Sequence, residues 1–154
     1  MLLQSQPSSS SLPKKSIGSP DKLENNQVKL SDTHKLLDLM YRFTKKTNAV
    51  VSPLEVLRLV RNDRLAMLAS FLGGVPMAYI VLEPHKQEVC ILQAYSISTV
   101  CTKSLWKYTS KWAKREGFDS IYAYVNRHPK AWERLFGLKV IGYKVGKELM
   151  SNGQ

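Results

Sequence analysis

The chain has 154 residues, 44% hydrophobic and 23% charged, with 23 Lys/Arg against 12 Asp/Glu and a net charge of +11. That length suits one domain able to bury a core, and no apolar run reaches the roughly 18 residues a membrane-spanning helix needs. Cys90 and Cys101 have neither CxxC spacing nor a histidine cluster beside them, so no metal site and a reducing compartment are expected.

Met1-Leu2-Leu3-Gln4 lacks the basic flank and apolar length of a secretion signal. Residues 1–30 are rich in Ser, Pro, Asn and Lys, with no apolar periodicity. Such a segment buries too little to offset its ordering entropy. It reads as a flexible or partner-docked arm, leaving residues 31–154 as the domain. A helix is expected from Ser31 or Asp32, carrying Leu36, Leu37, Leu39, Met40 and Phe43 at helical spacing and ending near Thr47-Asn48. Ser52-Pro53-Leu54-Glu55 is a capping box with proline at the first helical position. The second helix should run from there to Asn62-Asp63.

Strands follow. Residues 65–72 lead to Gly73-Gly74, which suits a tight hairpin turn. Residues 76–82 return, with Pro76 at the strand start because it lacks a ladder donor. A turn over 83–87 and a strand over 89–96 complete an antiparallel meander. Next comes KSLWKYTSKWAKREGF, an amphipathic helix with Leu105, Trp106, Trp112 and Ala113 on its apolar side and Gly117 as its stop. Lys103, Lys107, Lys111, Lys114 and Arg115 gather on the other side. Residues 120–125 form a strand ending at Asn126, residues 128–136 a short helix, and 138–149 the final strands. Two helices, a meander, then αβαβ predict an α/β fold, a mixed sheet with helices on both faces. The strands flanking the basic helix should be parallel.

From Lys103 to Lys147 eleven Lys/Arg face three Asp/Glu. That clustering points to a polyanionic partner, DNA or an acidic protein, met by the five-residue stripe. No GxSxG elbow is present, and Gly142 to Glu148 is not a phosphate-binding loop because no Ser/Thr follows Lys147. His34, His85 and His128 lie far apart and read as surface or capping residues.

The element order, Asn126 at a strand end and the Gly137-Leu138 to Tyr143 ending resemble the GNAT acetyltransferase fold over residues 32–149. The resemblance implies acetyl-CoA as cofactor and an amine as acceptor. It places the pyrophosphate-binding segment at Ile97–Thr102, so Ser98, Thr99, Val100, Cys101 and Thr102, with Asn126, become the cofactor-binding residues of such an enzyme. The sequence departs from the family there. Ile97 stands where the family has Gln or Arg, and Val100 and Thr102 stand where it has glycine. Those β-branched side chains obstruct close approach of a phosphate. Glu133 occupies the position of the family's acidic tyrosine, a group with a far lower reference pKa. Tyr122, Tyr124 and Tyr143 are nearby substitutes.

A narrower resemblance, to GNAT-like head proteins of short-tailed bacteriophages, rests on SLWKYTSKWAK, the strand ending in Asn126 and Trp132 before Gly137. It implies a virion component with a degenerate acyl-CoA loop and no cofactor. That component would contact DNA through the stripe and a neighbouring protein through the arm, in a virion or the cytoplasm. The alternative is an active acetyl-CoA-dependent N-acetyltransferase.

Overall fold

The computed structural model describes residues 22–47, 51–124, 139–141 and 144–149. Seven strands form one sheet: β1 (Leu23–Gln27), β2 (Ala66–Leu72), β3 (Val75–His85), β4 (Glu88–Ser96), β5 (Ser120–Tyr124), β6 (Lys139–Ile141) and β7 (Lys144–Glu148). Their order is β1-β2-β3-β4-β5-β7-β6. β4 and β5 are parallel and every other neighbouring pair is antiparallel.

Helices cover both faces, as the sequence predicts. α3 (Thr99–Arg115) seats Cys101, Leu105, Trp112 and Ala113 on Leu68, Ile80, Leu82, Val89, Ile91 and Ile121. On the other face, α1 (Leu37–Thr47) and α2 (Pro53–Arg61) bring Leu39, Met40, Val56, Leu57 and Val60 onto Met67, Ala69, Tyr79 and Val81. Each fully buried Leu or Ile here contributes roughly 1.5–3 kcal/mol.

The local signals in the sequence work through identifiable contacts. Ser52 caps α2, its hydroxyl accepting from the Glu55 amide at 3.2 Å. The Glu55 carboxylate turns to Arg58, and that hydrogen bond and charge hold its pKa below the usual carboxylate value. Gly73 and Gly74 join β2 to β3 with φ of 59° and 82°, the two left-handed conformations of a type I′ turn. A Cβ on Gly74 would meet nothing within 4 Å. Gly74→Val should therefore cost about 1–2 kcal/mol from backbone strain alone, with Gly74→Asn costing less, read by chemical denaturation.

Three elements differ from the sequence expectation. Leu23–Gln27, inside the stretch read as an arm, is the edge strand β1, paired with β2 from Leu23↔Leu72 to Gln27↔Leu68. Its second face is captured by α3: Asn25 Nδ2 donates to Ser104 Oγ at 2.8 Å, and Trp112 Nε1 donates to Gln27 Oε1 at 3.1 Å. The first helical segment opens as a 3-10 helix over Leu30–Leu36 before α1 begins. Neither Ser31 nor Asp32 caps α1. β3 runs on to His85, and the turn shrinks to Lys86-Gln87, with Lys86 at φ 60°. The short helix expected over 128–136, with Trp132 and Glu133, and also Asn126 and Tyr143, fall outside the described residues.

Candidate functional site

β4 changes partner part-way along its length. Glu88, Val89 and Cys90 pair with Ser120, Ile121 and Tyr122 of β5. Past that point no β4–β5 pairing occurs among the described residues, although β4 continues to Ser96 and β5 to Tyr124. A bulge at Leu92 accompanies the parting: Leu82 opposes Ile91 and Val81 opposes Gln93, so Leu92 is the extra residue, and it is exposed. Bulges bend a strand and re-aim its edge. The two parallel strands thus part at their carboxyl ends, where open α/β sheets bind ligands.

α3 begins at this opening. Only Ile97 and Ser98 separate β4 from the first helical residue, Thr99. Ser98 caps the helix, its hydroxyl accepting from the Cys101 amide at 3.2 Å. Ser96 Oγ ties the connection down by donating to Ser98 O at 2.8 Å and accepting from Ser98 N at 3.1 Å. Thr102 Oγ1 donates back to Ser98 O at 2.9 Å. The amides of Thr99 and Val100 take no partner among the described residues, which leaves the positive end of the helix dipole open.

The residues expected to bind a pyrophosphate therefore divide. Ser98 and Thr102 spend their hydroxyls on the helix itself, and Cys101 is fully buried in the core under α3. Thr99 and Val100 remain at the surface, and the Val100 side chain is 64% exposed. The expected loop is the first turn of the helix, because Ser98 starts α3 two residues after β4 ends. The five cations of the stripe, Lys103, Lys107, Lys111, Lys114 and Arg115, are all exposed.

On the α1 side the opening is aromatic. Phe43 of α1 meets Tyr79 and Tyr95 edge-on at 6.4 and 6.3 Å. Tyr79 Oη donates to Gln93 Oε1 at 3.1 Å. Burial, with Tyr95 beside it, pushes the Tyr79 phenol well above its ordinary value of 10.0. The folded state then holds that proton after the unfolded chain has lost it. Stability is unaffected below about pH 10 and falls above it, at up to about 1.4 kcal/mol per pH unit. Urea titrations between pH 9 and 11.5 should show this fall, and Tyr79→Phe should lessen it.

β5 supplies two further phenols. Tyr122 and Tyr124 lie edge-to-face at 5.5 Å. Tyr122 is buried, and that burial, followed by Cys90, Tyr124 and Glu88 nearby, raises its pKa. Tyr124 stands beyond the last β4 pairing and is 70% exposed. Glu88 is at the closed end of the strands, accepting from Ser120 Oγ at 3.0 Å. Sequence reasoning named the tyrosines but missed Gln93 and the Leu92 bulge, because an extra residue in a strand leaves the alternation readable on either side. A separate cleft of about 350 Å³, lined in part by Lys29, Val60, Asp63 and Met67, lies at the opposite end of β2. Among the described residues no group of His, Cys, Asp and Glu is placed to hold a metal, and no helix is long and apolar enough to cross a membrane.

Solved structures share this fold across nearly their whole length. An acetyltransferase of the GNAT family from Streptococcus pneumoniae superimposes with a TM-score of 0.68 at 13% identity, covering 84% of this chain and 100% of its own. The fold is the GNAT acetyltransferase fold. An aminoglycoside 6′-acetyltransferase type Ii matches the GNAT frame with a TM-score of 0.70 at 14% identity, over 84% of this chain and 99% of its own. A GNAT family acetyltransferase from Brucella melitensis, solved in complex with acetyl-CoA, gives 0.66 at 11% identity, over 84% and 89%. No protein-family model and no curated protein matches the sequence.

Proposed function

We propose that this chain is an N-acyltransferase that takes its acyl group from a CoA-type thioester, of which acetyl-CoA is the simplest. The observation that carries this reading is the parted end of β4 and β5 beside the open amides of α3. An unpaired strand edge can accept an amide-bearing arm in strand-like register, and open amides at a helix N-terminus favour an anionic group. The Brucella melitensis structure with acetyl-CoA supports it through the shared fold. When bound, the thioester supplies an activated carbonyl. Transfer to an amine breaks the C–S bond, forms a C–N bond and moves one amine proton to the departing thiolate.

In this chain the β4 edge from Gln93 to Ser96 orients the arm, and the Thr99 and Val100 amides hold its anionic end. Tyr124 is the exposed phenol able to pass the proton at the opening, whereas the closed-end Glu88 is occupied by Ser120. Calorimetry with acetyl-CoA, coupled to a thiol-release assay with amine acceptors, tests the reading. Binding and thiol release are expected. No heat at millimolar ligand and no release from any thioester overturn it.

A second reading is a non-catalytic GNAT-fold binding component, of the kind implied by the resemblance to short-tailed phage head proteins. One observation favours it: Val100 and Thr102 occupy the positions where the family has glycine, and Val100 presents an exposed apolar side chain in the first turn of α3. The absence of any thioester binding in the same titration is its expected result.

A further inference from the structure

We infer that the thioester is delivered by an acidic carrier protein, bound along α3, whose phosphopantetheine-type arm enters between β4 and β5. This rests on the acyltransferase reading and names its donor.

The first support is the outward face of α3. At 100° per residue, Lys103, Lys107, Lys111, Lys114 and Arg115 all lie within about 60° of the direction of Val100. α3 contains no acidic residue, and none of the five cations joins an ion pair among the described residues. The nearest acids in sequence, Glu116 and Asp119, follow the helix at the end away from the opening. The row spans about 18 Å of helix from Lys103 to Arg115. That is far longer than a diphosphate and matches an acidic surface the length of a helix.

The second support is the end of the row nearest the opening. It is apolar: Ile97 is 43% exposed and Val100 64%. Ile97 is fixed there by its amide bonding to Met77 O at 2.9 Å. A free CoA thioester would bring its phosphates and base to these side chains and, among the described residues of α3, find two amides and no cation before Lys103. A carrier protein instead covers them with its own apolar surface, while its acidic flank runs down the lysine row. Such an apolar centre beside a charged rim is ordinary interface anatomy. The overall charge of +11 adds steering of an acidic partner. A polynucleotide would also follow the row, but it has no use for Ile97 and Val100 and no arm for the strand edge.

The test compares three donors with one amine acceptor: acetyl-CoA, acetyl-pantetheine, and an acidic acyl carrier protein acetylated on its phosphopantetheine arm. The wild-type chain is set beside the Lys107→Glu, Lys111→Glu double variant. The carrier donor should exceed acetyl-CoA in kcat/KM by at least tenfold. The double variant should lose more than thirtyfold with the carrier, through KM, and nothing with acetyl-pantetheine. Acetyl-CoA matching or exceeding the carrier overturns the inference and leaves the acyltransferase reading standing. Equal losses with all three donors also overturn it, as does salt-steep binding of duplex DNA with no binding of the carrier. No transfer from any donor overturns the acyltransferase reading and the inference with it.

Discussion

Replacing Trp112 by alanine should destabilise the fold by about 3–5 kcal/mol, the range for a buried aromatic truncated in a packed core. The ring is 3% exposed and stacks, tilted, on Phe118 at a centroid distance of 5.9 Å. Its indole N–H also serves Gln27 Oε1 on β1. The alanine variant loses the packing and leaves a polar acceptor without its donor. Trp112→Phe narrows the comparison, because it keeps an aromatic ring in the core while removing the N–H and the remainder of the indole. Its expected cost is about 1–3 kcal/mol. Urea unfolding followed by circular dichroism reads both. A cost under about 1 kcal/mol for the alanine variant would contradict this packing of α3 on the sheet.

The second large effect concerns chemistry. Tyr124→Phe should lower kcat for thiol release by about 10²-fold, the lower range for removing a general acid, with KM and unfolding midpoint unchanged. The hydroxyl belongs to a side chain that is 70% exposed, so its loss leaves the core alone. Tyr122→Phe makes the contrast. That side chain is buried between Cys90 and Tyr124, and its substitution should register in stability more than in kcat. An unaltered kcat in Tyr124→Phe would assign the proton transfer to another group.

Much of the frame was readable in the sequence wherever one residue type has one physical use. Ser52-Pro53 marked a helix start, Gly73-Gly74 a two-residue hairpin, and Gly117 a helix stop with φ 91°. The lysine face of α3 followed from periodicity. β1 was hidden because the residues it turns toward α3 alternate as Leu23, Asn25 and Gln27. Two of the three are polar, so the stretch reads as solvated until Ser104 and Trp112 are seen to meet them. The opening itself was unreadable, since it depends on how far β4 and β5 stay paired, which no single residue encodes. The helix-end residues illustrate the same limit. Ser98, Thr99 and Thr102 look alike as hydroxyl donors, yet Ser98 and Thr102 are consumed by the helix they begin.

The union of β1 with α3 has a dynamic consequence. Asn25 Oδ1 and Ser70 Oγ are buried without a hydrogen-bond partner among the described residues, and the two residues face each other across the β1–β2 ladder. Detaching the edge strand releases those atoms to water, which offsets part of the bonds lost. Opening of this kind draws on less free energy than global unfolding. Amide protons of Leu23–Gln27 should therefore exchange with deuterated solvent well before those in the centre of β3, with little response to denaturant. The sheet would then have a slow interior and one fast margin, set by two unmet polar atoms rather than by the number of strands.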